Sequence, residues 1–137
     1  MNEGIQMNEN EIRATNAVEM IDVSDVAYEV GYPEHLPMKV CITPRVFMKS
    51  VYWKDEDSQK QVIQFKEERL WHLLYNSYQA LAHKTGKEDN KCHFFNLEFI
   101  PRDGVSQLPI SVKMKIEFFL VPGERVMALI QEQDENW

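Results

Sequence analysis

The sequence predicts an α+β fold in which N-terminal helices, one of them long, pack on a C-terminal antiparallel β-meander. Two observations carry this expectation. Val62, Leu70, Leu73, Leu74, Tyr78 and Leu81 recur at helical spacing, with a polar face opposite them. In the last third the period changes. Ile110, Val112, Met114, Ile116, Phe118 and Leu120 alternate with Ser111, Lys113, Lys115 and Glu117, as on a strand with one buried face.

Each element follows in chain order. Residues 1–19 lack a sustained apolar period and read as a flexible leader, with at most a helical turn around Ile12–Val18. A short helix is expected over 22–31, capped by Asp22 or Ser24 and stopped by Gly31 and Pro33. Residues 37–42 read as a short strand that can add to an edge of the sheet. Thr43-Pro44 then starts a helix over 44–53. The Thr side chain caps an orphan N–H, and Pro loses nothing at the first helical position.

Ser58 and Gln61 fit a capping box, and Asp55, Glu56 and Asp57 complement the positive end of a helix dipole. One long helix is therefore expected over 59–84, with Trp71 and Tyr75 widening its apolar stripe and Thr85-Gly86 ending it. The meander spans 92–131. His93, Phe95, Leu97 and Phe99 share the buried face of its first strand, and Asp103-Gly104 and Pro122-Gly123 mark turns. The domain proper is thus 20–131, and 132–137 forms a frayed acidic tail.

Composition narrows the function. The chain has 137 residues, 44% of them hydrophobic and 11% aromatic, which suits one domain with a real core. The formal net charge is −7 and the pI about 5.1, so phosphate backbones and anionic lipid surfaces are disfavoured partners. No basic-then-apolar signal segment and no spanning apolar run occurs, and Cys41 and Cys92 are too few for a disulfide scaffold. These features predict a cytoplasmic protein with both thiols free.

Little in the chain resembles catalytic chemistry. Cys41 precedes a helix start, where a thiol pKa can fall, and His35 or His93 would have to serve as its base. The competing reading is a small buried apolar residue at a strand end. The four histidines, at 35, 72, 83 and 93, show no short metal-ligand spacing, and no Walker A, GxGxxG, GxSxG or HExxH pattern occurs. No cofactor is expected. Arg102 with Lys113 and Lys115, which share a strand face, is the alternative for weak nucleic-acid binding.

A protein-binding surface is the favoured reading. Trp53 beside three acids suits a partly exposed anchor, although core packing is the role its residue type favours. With Asp55, Asp57 and the polar helix face of Gln61, Gln64, Glu68 and His72 it defines the candidate site. Arg69 flanks the apolar stripe and is assigned a structural role, its fork reaching Asp57, Asp103 or loop carbonyls.

The run I-D-V-S-D-V-A-Y-E-V-G-Y, then I-T-P-R-V-F-M-K-S-V-Y-W, D-S-Q-K-Q-V-I-Q, R-L-W-H-L-L and P-R-D-G resembles a family of small uncharacterised bacterial proteins built on a domain of unknown function. The similarity covers most of 21–131. It departs at Phe47, where members often carry Trp, and at His72, where they often carry Asp. The resemblance implies no enzyme activity. Members occur on plasmids, phages and other mobile genetic elements, so it implies an accessory role, including interference with host defence. The expected function is a non-catalytic, protein-binding accessory protein of a mobile element, with inhibition of a host defence or nucleic-acid-processing protein as one form of it. A thiol-dependent enzyme using Cys41 and weak nucleic-acid binding stand as alternatives, and the oligomeric state is left open.

Overall fold

The computed structural model describes residues 20–33, 38–83, 92–123 and 125–136. The expected leader, His35, Thr85-Gly86 and Trp137 lie outside the described residues. Five strands form one sheet: β1 (Ile21–Asp22), β2 (Met38–Ile42), β3 (Cys92–Phe99), β4 (Ile110–Val121) and β5 (Arg125–Glu132), in the order β1-β2-β5-β4-β3. The α+β class holds, and β3, β4 and β5 form an antiparallel meander. The sheet as a whole is mixed, because β2 runs parallel to β5, with Val40 opposite Ala128 and Ile42 opposite Ile130. The strand expected over 37–42 is seen as Met38–Ile42, which extends the meander and is itself covered by the two-residue β1.

One face of the sheet carries the main core. Val40, Ile42, Leu97, Met114, Ile116, Ala128 and Ile130 meet Ala27, Val46, Leu73 and Leu74 from the helices. Strand alternation sends Cys41, Phe119, Met127 and Leu129 to the opposite face, where they form a second buried cluster with Met20 against it.

Helix α1 (Ser24–Val30) starts where the Asp22 carboxylate accepts the Ser24 N–H at 2.9 Å, and it stops at Gly31. Gly31 has φ +146°, and a Cβ there would lie 2.9 Å from the Tyr78 ring, so both backbone angle and space select glycine. Beside it, the Tyr32 hydroxyl meets Ser77 Oγ at 2.7 Å. Burial, partly offset by that bond, pushes the Tyr32 phenol up to about 12.

Thr43 caps the next helix as expected, accepting the Val46 N–H at 3.2 Å. This helix, α2 (Pro44–Val46), continues as a π-helical turn over Phe47–Val51, closed by the Tyr52 N–H on the Phe47 carbonyl at 2.8 Å. Thr43 Oγ1 also donates to Glu135 at 2.9 Å, and Glu135 accepts the Glu132 N–H at 2.8 Å. Glu132 is buried at the end of β5 and pairs with Arg45 at 2.8 Å and Lys49 at 3.0 Å. The segment expected to fray is thus tied to the start of α2.

The expected helix 59–84 is two helices, α3 (Asp55–Lys60) and α4 (Lys66–Ala82). The acidic triplet occupies the first turn of α3, where the dipole favours it, and Asp57 rather than Ser58 makes the reciprocal cap by accepting the Lys54 N–H at 2.8 Å. Ser58 faces elsewhere: its hydroxyl accepts from Trp53 Nε1 at 2.9 Å and from the Gln64 N–H at 3.2 Å, pinning the turn between the helices.

Candidate functional site

The break between α3 and α4 places Arg69 in the first turn of α4, against the end of the π-helical turn. A helix end leaves its last carbonyls without partners. Arg69 supplies them, donating from Nε to the Val51 carbonyl at 3.2 Å and from Nη2 to the Lys49 carbonyl at 3.3 Å. Its Nη1 reaches the Ile100 carbonyl at 2.9 Å and Gln64 Oε1 at 3.2 Å. The guanidinium therefore ties the π-helical turn, α4 and the loop after β3 together. Burial lowers its pKa to about 10, while the charge of Asp57 works the other way.

This node decides where the expected site residues go. Trp53 is not an exposed anchor. It is buried, with the Arg69 guanidinium 4.5 Å from its ring centre. Asp57 is buried and accepts from Arg102 Nε at 2.6 Å. Burial raises its pKa, but the Arg102 bond and the Lys54 N–H outweigh that and hold it below the usual carboxylate range. Gln61 is buried too. Its amide donates to the Pro101 and Ser106 carbonyls at 2.8 and 2.7 Å and accepts the Gly104 N–H at 3.0 Å. Helix periodicity put Gln61 on a polar face, yet the helix ends there and the side chain organises the 101–106 loop instead.

Three expected residues come together. Gln64, Glu68 and His72 line a cleft of about 300 Å³ with Glu98, Phe99 and Ile100. His72 Nε2 donates to the Glu98 carbonyl at 3.0 Å, which leaves Nδ1 to accept from Asn76 at 3.3 Å and fixes the ring at the rim. Asp55 lies apart, exposed on α3, and lines a neighbouring groove with Lys54, Gln64 and Phe65.

The residues missed as site candidates are Trp71 and Tyr75. They were expected to widen the buried stripe, but they are 44% and 42% exposed, stacked on each other with ring centres 5.4 Å apart and planes at 11°. The signal was present in the spacing. Trp71 and Tyr75 each sit two residues from Leu73, about 200° around a helix, and so oppose that buried position. They share the outer face of α4 with Glu68 and His72, one turn away.

The alternatives meet specific obstacles. Cys41 is buried on the sheet face opposite His93, which pairs beside Ile116 on the helix side. Burial, and then the charge of Asp22, push its thiol up to about 11, the wrong direction for a nucleophile at neutral pH. The basic candidates are dispersed into separate contacts: Arg102 with Asp57, Lys115 with Glu117 at 3.3 Å, and Lys113 at 5.1 Å from the Phe94 ring centre. Among the described residues no group of three His, Cys, Asp or Glu side chains is placed to hold a metal ion, and no helix is long and apolar enough to cross a membrane. Comparison with models of protein families, with curated proteins and with solved structures finds no match for the chain.

Proposed function

We propose that this is a non-catalytic protein-binding protein that docks its partner on the outer face of α4. The observation that carries the reading is the exposed Trp71–Tyr75 stack beside the Gln64–Glu68–His72 cleft. Two large aromatics stacked on a well-packed helix lose little entropy on binding and offer a rigid apolar anchor. The net charge of −7 favours a partner with a basic surface. The sequence resemblance supports an accessory role on a mobile genetic element, with inhibition of a host defence or nucleic-acid-processing protein as the form that an acidic, non-catalytic binder suits. That Cys41 and Cys92 form no disulfide among the described residues fits a reducing cytoplasm.

The test is affinity capture from host-cell lysate with the wild type and the Trp71→Ala/Tyr75→Ala double variant side by side. A discrete partner retained in near-stoichiometric amount by the wild type and lost by the variant is the expected result. Identical retention by both removes this face from the function.

A further inference from the structure

We infer that the cleft beside the aromatic stack receives an arginine side chain presented by the partner protein. This deepens the protein-binding reading and rests on it.

The polar groups of the cleft are mismatched among themselves in a way that defines a ligand. Glu68 and Glu98 both line it, both are exposed, and neither carboxylate has an ion pair among the described residues. The one cation in the lining, Arg69, is already committed to three main-chain carbonyls and the Gln64 amide, and its charge is buried beneath Trp53. Its hydrogen bonds run to neutral oxygens and leave that charge in place, so the lining sets two exposed carboxylates against one buried cation, an excess of negative charge that favours a cation over phosphate.

Gln64 adds a directional demand. Its Oε1 accepts from Arg69, so the amide orientation is set and Nε2 must point the other way. Nε2 is buried and has no hydrogen-bond partner among the described residues. A buried donor of this kind calls for an acceptor, and a partner's peptide carbonyl supplies one once Nε2, which has no exposed surface, turns out toward the cleft.

Phe99, Ile100 and Pro109 give the cleft an apolar floor. An occupant must therefore join an aliphatic stem, a terminal cation that meets carboxylates, and a nearby carbonyl. An arginine within a polypeptide has all three. Its planar fork also suits carboxylates and the neighbouring aromatic faces better than the compact, strongly hydrated ammonium of lysine. Trp71 lies three residues beyond Glu68 and Tyr75 three beyond His72, so the segment carrying the arginine would lie across the stack.

The probe is the blocked tripeptide acetyl-Gly-Arg-Gly-amide, titrated into the full ¹⁵N-labelled chain, with the citrulline analogue as an uncharged isostere. Saturable shifts at the Gln64 side-chain amide and at Phe99–Ile100 are expected for the arginine peptide. The citrulline peptide should bind at least about tenfold more weakly. The shifts should vanish in the Glu68→Gln/Glu98→Gln variant, whose exposed substitutions leave the melting temperature unchanged. Equal shifts from both peptides, or shifts that survive the double substitution, overturn the assignment. Partner capture that needs Trp71 but ignores Glu68 and Glu98 would also overturn it while leaving the aromatic docking face standing. Arginine-specific shifts with no partner lost in the Trp71→Ala/Tyr75→Ala variant would do the reverse.

Discussion

Arg69 holds its guanidinium 4.5 Å from the ring centre of Trp53, and its hydrogen bonds run to carbonyl and amide oxygens rather than to a carboxylate. It acts as the C-terminal cap of another element, placing a cation at the negative end of the α2 and π-helical segment. Arg69→Lys removes the planar fork, and the three donors of one ammonium leave at least one of the four acceptors without a partner. The expected loss is on the order of 1–3 kcal/mol, read as a lower denaturant midpoint. An unchanged midpoint would mean that the carbonyls find water instead.

Gly31 makes a second backbone-level prediction. Any Cβ there meets the Tyr78 ring, and φ +146° is outside the range that other residues adopt readily. Gly31→Ala should destabilise by more than about 1 kcal/mol, despite the entropy it removes from the unfolded chain. Equilibrium unfolding in urea measures it, and an alanine that stabilises would show that α1 can shift away from α4.

Acid should loosen the 101–106 loop and its tie to α3. Asp57 is held below its ordinary range by Arg102, and Asp103 is held down to about 2 by Ser106 and the Val105 N–H. A carboxylate whose folded pKa is depressed contributes stability above its unfolded value, about 4, and that contribution is lost as the pH falls through the folded value. Stability should therefore decline as the pH drops from about 4 towards 2. Asp103→Asn should flatten part of that slope and lower stability near pH 7, where the contribution of the ionised carboxylate is fully present. A slope identical in the variant would assign the acid sensitivity to other carboxylates.

How much of this was legible depends on the range of the interaction. Thr43-Pro44, the alternation of β4 and the apolar stripe from Leu70 to Leu81 are local patterns, and a helix start, a strand and a helix stand on them, whereas Val62 falls before α4 begins. The parallel pairing of β2 with β5 was not legible, because it joins residues about ninety positions apart and depends on which edge of the meander stays open. The break at Gln61 was hidden for a similar reason. Its side chain is drawn to a loop some forty residues away, and Ser58, a fair capping residue in isolation, is occupied by Trp53 and Gln64. That single break buries Trp53, Asp57 and Gln61 and leaves Gln64, Glu68 and His72 at the cleft. The Trp71–Tyr75 face was readable from helix angle alone, but residue type outweighed position.

The two thiols should separate kinetically. Cys41 is buried between strands with its pKa raised to about 11, whereas Cys92 is half-buried at the start of β3. A thiol-reactive reagent at neutral pH should modify Cys92 first and reach Cys41 only when the protein unfolds. Prompt labelling of Cys41 in the folded protein would reopen a nucleophilic role for it.

The last prediction separates binding from stability on α4. Trp71 and Tyr75 are each more than two-fifths exposed, stack on one another and lie outside the buried core cluster, so removing both opens no cavity in the main core. The Trp71→Ala/Tyr75→Ala variant should cost on the order of 1 kcal/mol, from the lost stack and the half-buried ring surface, and so less than a core truncation. Leu73→Ala, two positions from each, takes a fully buried side chain from the core and should cost about 2–5 kcal/mol. If α4 presents a docking face, the aromatic double variant loses its partner while still folded. Leu73→Ala instead loses partner binding only in proportion to the fraction unfolded. Measuring capture and unfolding on the same preparations distinguishes these cases. A double variant that melts as early as Leu73→Ala would place the aromatic stack in the structural core and withdraw it from the binding surface.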